Sequence, residues 1–338
     1  MPEKEYGTIN EVIGFFSSMR VGLALLIIIG AVAAATTLFF QQSFYHTWFF
    51  ETLLAMLFLN MLLCTSKRCK AIFSSRKGLQ PGSWRTFGLL FLHAGFLCVL
   101  LGGAVYSFGG REALVSIAKG ETVQMAQALG QEKSFLLHVD DFRIDLYPDG
   151  SPSQYTSRVT LLEKSKGIGT FDISVNHPLK YKGVTMYQEM YGWAVNLTFA
   201  VSGKEGQATV KEGEFADIPG TDYRVRYYRY IPNYDPSYGM ETKSLEPLNP
   251  RVIFSVYEGN ERIDVGLAKL GENVSIKKGI SFRFTETVPL TTLKAKTDPG
   301  APFVWVGFGL LLGGVFMALC QPLLRGLGTN CTGKEGEV

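Results

Sequence analysis

The sequence predicts a membrane protein with four transmembrane α-helices and a large extracytoplasmic β-rich domain, sandwich- or barrel-like in form. Three observations predict it. Four apolar runs of bilayer length stand near the two ends of the 338-residue chain and flank a polar middle. The loop between the second and third runs is basic and carries no acid. From Arg111 onward the helical period gives way to short segments of alternating apolar and polar residues, separated by turns.

The first run is Val21–Phe40, VGLALLIIIGAVAAATTLFF, preceded by an arm over residues 1–20. Arg20 before an apolar stretch has the look of a signal peptide. The run continues through Leu38–Phe40 after a long polar arm, which fits an uncleaved anchor better. The second run is Trp48–Cys64, the third Thr86–Tyr106 and the fourth Pro302–Gln321. Each is near the ~20 residues that cross a hydrocarbon core. The segment 65–85 holds Lys67, Arg68, Lys70, Arg76, Lys77 and Arg85 and no acid, so it is expected to be a cytoplasmic loop. Parity then puts both termini in the cytoplasm, with the large domain on the periplasmic side of an inner membrane. The expected organisation is transmembrane helices 1–3 over 21–107, an exported domain over 108–300, a fourth span over 301–322 and a tail over 323–338.

The middle segment 109–298 has 23 Lys and Arg against 24 Asp and Glu. That balance excludes the basic footprint of a nucleic-acid binder. Expected strands include Phe135–Val139, Phe142–Leu146, Arg158–Leu162, Phe171–Val175, Val195–Val201, Tyr223–Tyr230, Val252–Tyr257 and Ser281–Glu286, with turns at sites such as Pro148-Asp149-Gly150. All five cysteines lie outside this segment, so it has no disulfide framework. The tyrosines from Tyr223 to Tyr238 read as alternating strand residues, with a binding face as the alternative. Asp140 and Asp141 are adjacent, and neighbours on a strand point to opposite faces, so they do not form a catalytic pair.

Of the four histidines, His93 alone sits inside an apolar run. An ionisable residue there is a functional candidate. Leu89, Leu90, Phe96, Leu97 and Leu100 share its helix side, while Gly88, Gly95 and Gly102 recur every seven residues on roughly the opposite side. A small-residue stripe lets a neighbouring helix approach closely. Two readings of His93 stay open: an interhelical hydrogen bond, or a ligand to the iron of a flat apolar cofactor such as haem. His46 reads as an interfacial anchor or a second ligand, and His138 and His177 as structural or solvated residues. No catalytic triad, metalloprotease motif or phosphate-binding loop occurs.

The order and spacing of several motifs resemble the ResB/CcsB family of cytochrome c biogenesis proteins, system II type. They are Phe15-Phe16-Ser17-Ser18-Met19-Arg20 before the first run, and His93 followed by Leu100-Leu101-Gly102-Gly103. Further along come Phe142–Pro152, Gln154-Tyr155-Thr156-Ser157, Val175–Gly192 and Asp298-Pro299-Gly300. The resemblance implies a haem-handling, non-catalytic subunit of a holocytochrome c synthase complex. Such a subunit works with a CcsA/ResC-type membrane partner to export haem b and attach it to apocytochrome c. It places an axial ligand at His93 and expects the opposing ligand from the partner, which also carries the tryptophan-rich motif. This chain has no Trp-Trp pair, matching the two-chain form. The alternative is a membrane-anchored apocytochrome chaperone or scaffold that never ligates haem.

Overall fold

The computed structural model describes residues 14–39, 47–74, 84–130, 135–164 and 166–328. The chain divides into two compact units: Met1–Gly110 with Asp298–Val338, and Arg111–Thr297.

Among the described residues the first unit holds four helices long and apolar enough to cross a membrane: α1 (Met19–Phe39), α2 (Trp48–Ser74), α3 (Trp84–Gly109) and α4 (Ala301–Gly328). Even the 21 residues of α1 rise about 32 Å at 1.5 Å each, close to the ~30 Å hydrocarbon thickness. Ile27, Trp305, Leu312 and Phe316 lie 64–74% exposed on these helices. An apolar surface of that extent is hostile to water and suited to lipid. One expectation changes. α2 does not end with its apolar run but continues as helix through Thr65–Ser74, so Lys67, Arg68 and Lys70 stand on a helix and not in a loop. Apolar content limits what lipid can cover, whereas Lys, Arg and Ala are good helix formers in water. Arg76 and Lys77 lie outside the described residues.

A polar clamp joins α1 to α2. Asn60, buried in the middle of α2, donates through Nδ2 to Phe16 O at 2.5 Å and to Ser18 O at 3.2 Å. Cys64 donates to Ser17 O at 3.1 Å, and Lys67 Nζ reaches Ser17 Oγ. Positions 60, 64 and 67 share one helix face, so α2 gathers the Phe15–Ser18 segment that leads into α1. Gly22 makes room for the clamp, since a Cβ there would meet Asn60 Oδ1 at 2.5 Å.

Among the described residues the second unit contains 14 strands in three antiparallel sheets. The central sheet runs β1 (Arg111–Ala118), β14 (Ile280–Thr297), β7 (Val184–Val201), β6 (Leu179–Tyr181), with β13 (Val274–Lys277) beside β14 and β8 (Lys204–Val210) beside β7. The second sheet runs β12 (Glu261–Ala268), β11 (Arg251–Glu258), β10 (Tyr223–Ile231), β9 (Phe215–Asp217). The third runs β2 (Thr122–Gln124), β3 (Leu136–Leu146), β4 (Pro152–Glu163), β5 (Lys166–Ser174).

These sheets enclose two hydrophobic cores. In one, Val195, Leu197 and Phe199 of β7 and Phe282 and Phe284 of β14 meet Tyr227 and Phe254. In the other, Val184 and Met186 of β7 and Leu293 and Ala295 of β14 meet Leu137, Val139, Val159 and Leu161. The two long strands therefore run through both. The inward parity of β7 changes on the way, from Val184 and Met186 to Val195 and Leu197. A bulge where Leu293 faces Gln188 and Thr292 faces Met190 inserts the extra residue that allows it.

Beside that bulge lies a fully internal polar cluster. Ser157 Oγ sits 2.6 Å from Gln188 Oε1 and 2.8 Å from Thr291 Oγ1, and Thr291 Oγ1 lies 3.1 Å from Gln188 Oε1. Gln188 Nε2 donates to Met190 O at 3.0 Å. Gln188→Leu keeps the volume but leaves two buried hydroxyls sharing only each other. It is expected to cost about 1–3 kcal/mol of stability, read as a lowered melting temperature of the full chain. An unchanged melting temperature would show the cluster to be idle.

Among the expected strands, Phe135–Val139 and Phe142–Leu146 are one strand, β3, which passes through a bulge between Val139 and Asp141. Val195–Val201 and Ser281–Glu286 are segments of 18-residue strands. The turn at Pro148-Asp149-Gly150 is present, closed by Tyr147 N donating to Ser151 O at 2.8 Å, with Gly150 at φ +81°.

Candidate functional site

The site is built on α3. Gly88, Gly95 and Gly102 fall on one face of that helix, and Gly314, Gly307 and Gly300 on the facing side of the last helical segment, each set at intervals of seven. The two glycine rows meet pairwise in antiparallel order. A Cβ added at Gly95 would lie 2.7 Å from Gly307 O, one at Gly88 2.9 Å from Gly314 O, and one at Gly102 2.9 Å from Gly300 O. Only glycine permits so close an approach of two backbones, which lets dispersion attraction and polar backbone contacts hold the pair. Gly103, one residue from this face, has open space at its Cβ position.

His93 lies away from the glycine face and is half-buried. Its Nδ1 sits 2.7 Å from Leu89 O, one turn back. A carbonyl oxygen only accepts, so the neutral ring that makes this bond carries its proton on Nδ1. The Nε2 lone pair is then left available, and the ring orientation is fixed by the helix's own backbone. A metal-bound imidazole has the same arrangement, with one nitrogen on the metal and the other donating to a carbonyl. Leu89, Leu90, Phe96, Leu97 and Leu100 around it are all half-buried. An imidazole with Nε2 available on an apolar wall is the kind of group that would hold haem iron. It supplies one ligand only.

No group of three or more His, Cys, Asp or Glu able to hold a metal ion is found among the described residues. His46 lies outside the described residues. His138 is on β3, its Nδ1 2.9 Å from Thr122 Oγ1, and His177 is exposed at a bridge to Ser174. Both belong to the Arg111–Thr297 unit, and His93 to the other. Asp140 and Asp141 have separate partners: Thr160 donates to Asp140 at 2.7 Å, and Lys119 pairs with Asp141 at 2.7 Å. The Lys119 ammonium also holds the Asp141 carboxyl below its ordinary range.

The sequence signal did not mark two features of the second unit. The first is a cleft of about 610 Å³, walled by Tyr191, Trp193 and Tyr230 and edged by Glu212 and Arg229. Tyr155 stacks on Tyr191 at 4.9 Å, Tyr191 meets Trp193 edge-on at 5.5 Å, and Trp193 meets Tyr230 at 5.3 Å. Burial pushes the Glu212 carboxyl up, against the pull of Arg229.

The second is a division within the tyrosine run. Tyr223, Tyr227 and Tyr230 point into the core, with Tyr227 donating to Trp193 O at 3.0 Å. Tyr228 faces outward beside the bulge between Tyr227 and Arg229. Ser255 Oγ donates to its hydroxyl at 3.1 Å, Tyr257 Oη lies 3.4 Å away, and Arg226 stacks over the ring. The Ser255 bond first, then Tyr257 and the nearby Arg226 charge, bring the Tyr228 phenol down to about 8. The folded value lies below the ordinary ~10, so phenolate formation adds stability that is complete above pH ~10 and lost as pH falls through about 8. Ultraviolet titration should show one phenolate forming near pH 8 that is missing from Tyr228→Phe. Identical curves for the two proteins would refute it.

Four bilayer-length helices and a three-sheet β unit define the class of protein. A model of the ResB-like family matches residues 79–274, more than half of the chain. The chain belongs to the ResB-like family. It is 28% identical over 245 residues to the cytochrome c biogenesis protein CcsB of Synechococcus sp. (strain RCC307), covering 71% of this chain and 54% of that protein. It is 29% identical over 248 residues to the cytochrome c biogenesis protein CcsB of Gloeobacter violaceus (strain ATCC 29082 / PCC 7421), covering 68% and 50%. The chain thus spans about half the length of the curated relatives it matches. A solved cytochrome c heme lyase CcmF aligns over 89% of this chain and 35% of its own at 14% identity, with a TM-score of 0.31, too low to establish a common fold.

Proposed function

We propose that this chain is a haem-handling subunit of a cytochrome c biogenesis complex in the inner membrane. It works beside a CcsA/ResC-type partner that helps pass haem outward and attach it to apocytochrome c. The observation that carries the reading is His93: its Nδ1 is held by Leu89 O, leaving Nε2 to bind iron. Haem b would supply the iron and the flat apolar ring, His93 would hold the iron, the leucine and phenylalanine wall would exclude water from it, and the partner would complete the site. The relatives' role in cytochrome c biogenesis supports the same reading. The basic segment Lys67–Lys70 supports an orientation with that end in the cytoplasm and the β unit on the outer side.

The second reading is an apocytochrome chaperone or scaffold that never touches haem. The aromatic cleft at Trp193 favours it, since a polypeptide segment needs such a surface. Purifying the chain with its partner separates the two. A Soret band with bis-histidine features is expected under the first reading. A complex that is fully active in cytochrome c maturation yet carries no haem would leave only the second.

A further inference from the structure

The outward face of the β9–β12 sheet interleaves arginines with aromatic rings at adjoining register positions. Arg224 stands opposite Tyr257 on β11, Arg226 stands opposite Ser255 on β11 and Phe215 on β9, and Arg262 on β12 stands opposite Tyr257. The Arg224 and Arg226 guanidinium groups lie 5.0 and 5.2 Å from the centre of the Phe215 ring, and Arg226 lies 4.9 Å from that of Tyr228. Phe215 meets Tyr257 edge-on at 5.2 Å.

Neutral acceptors hold these cations in place. Arg224 donates to Gly259 O and, at 3.1 Å, to Asn260 Oδ1, and Arg226 Nε donates to Gly213 O at 3.3 Å. Among the described residues no carboxylate lies within 4.0 Å of any of the three guanidinium groups. Arg158, Arg229 and Arg283 of the same unit do each meet one. Among the described residues the face therefore presents three guanidinium groups with no close ion pair, with Asp217 opposite Arg224 on β9 and exposed Val265 at its border.

We propose that this face binds a planar aromatic dicarboxylate, the porphyrin of haem, through its propionates on Arg224, Arg226 and Arg262 with the ring over Phe215 and Tyr228. Guanidinium groups pair with carboxylates in a fork and also stack on flat rings, so one set of residues meets both parts of such a ligand. Four strands at ~4.8 Å spacing span about 14 Å, the scale of a porphyrin ring with its side chains. An acidic peptide would satisfy the charge but leave the three flat rings without a use. The inference rests on haem handling and is independent of His93.

The test uses the full chain with its partner in nanodiscs, in a His93→Ala background. Metal-free protoporphyrin IX serves as the probe, because without iron it takes no axial ligand. Its dimethyl ester and a poly-glutamate peptide are compared, with empty nanodiscs subtracted. The free acid is expected to bind, and the ester to bind about tenfold more weakly or worse. Arg224→Gln/Arg226→Gln/Arg262→Gln is expected to bring the free acid down to the level of the ester. Arg226→Lys, which keeps the charge and loses the fork, should fall between. Bound porphyrin should also raise the Tyr228 titration midpoint, since a nearby anion disfavours a second one. Equal binding of acid and ester, an unchanged triple variant, or poly-glutamate binding as tightly as the porphyrin would each overturn the proposal. Such a failure leaves the Soret band of the wild-type complex intact. If haem handling itself is wrong, that band is missing from the start.

Discussion

His93→Ala, expressed with the partner, is expected to lose most of its haem, about tenfold or more in retention, and the yield of holocytochrome c with it. Added imidazole should restore part of both, because the side chain removed is an imidazole and its absence leaves a space of that shape. The fold should survive. The bond lost is a single one from His93 Nδ1 to Leu89 O within one helix, and polar contacts inside membranes average about 0.6 kcal/mol. The glycine contact with α4 lies on another face of α3. An unchanged melting temperature alongside a lost Soret band would therefore mark His93 as a ligand. Full haem loading and activity in the variant would remove it from that role.

Gly95→Leu is expected to do the opposite: damage the fold first and the haem site as a consequence. A Cβ at Gly95 would lie 2.7 Å from Gly307 O and 2.9 Å from both Leu311 N and Leu311 Cγ. Two of those three atoms are backbone, so no side-chain rotation relieves the clash and the helices must separate. Overpacking of this kind costs about 1–3 kcal/mol, and a whole leucine side chain should reach the upper end. Gly103→Leu is the control, because nothing lies within 4 Å of its Cβ position. Melting in detergent should fall for the first variant and stay put for the second. Equal melting temperatures would mean that the glycine pairs do not hold α3 to α4.

The helices and their close-packed face were legible because both signals are local. An apolar run of bilayer length reports itself, and a seven-residue glycine spacing on α3 needs no knowledge of the partner helix. What the spacing withheld was the identity of that partner, α4, which lies some two hundred residues further on. Asn60 was missed for a related reason. It is uncharged and stands singly in an apolar run, so nothing in the sequence distinguishes its use as a clamp from tolerated polarity.

The β unit was legible only where one strand face is buried. β8 and β12, KEGQATV and ERIDVGLA, expose most of their residues and so show little alternation. β7 hid for a different reason. Its inward positions switch parity at the bulge near Gln188, which reads as a broken pattern when the strand in fact continues. The arginine face of β10 was invisible because cross-strand neighbours such as Phe215, Arg226 and Ser255 are far apart in sequence and meet only once the register is set.

The two 18-residue strands have a thermodynamic consequence. At ~3.4 Å per residue each extends about 60 Å, and both cores close on opposite stretches of the same ribbon. Neither core can come apart without stripping side chains from a ladder that the other still grips. The Arg111–Thr297 unit should therefore melt in one transition despite having two interiors, and its slowest-exchanging amides should lie along Gln188–Leu197, the stretch that joins them. A perturbation at either end then has a stiff covalent path to the other.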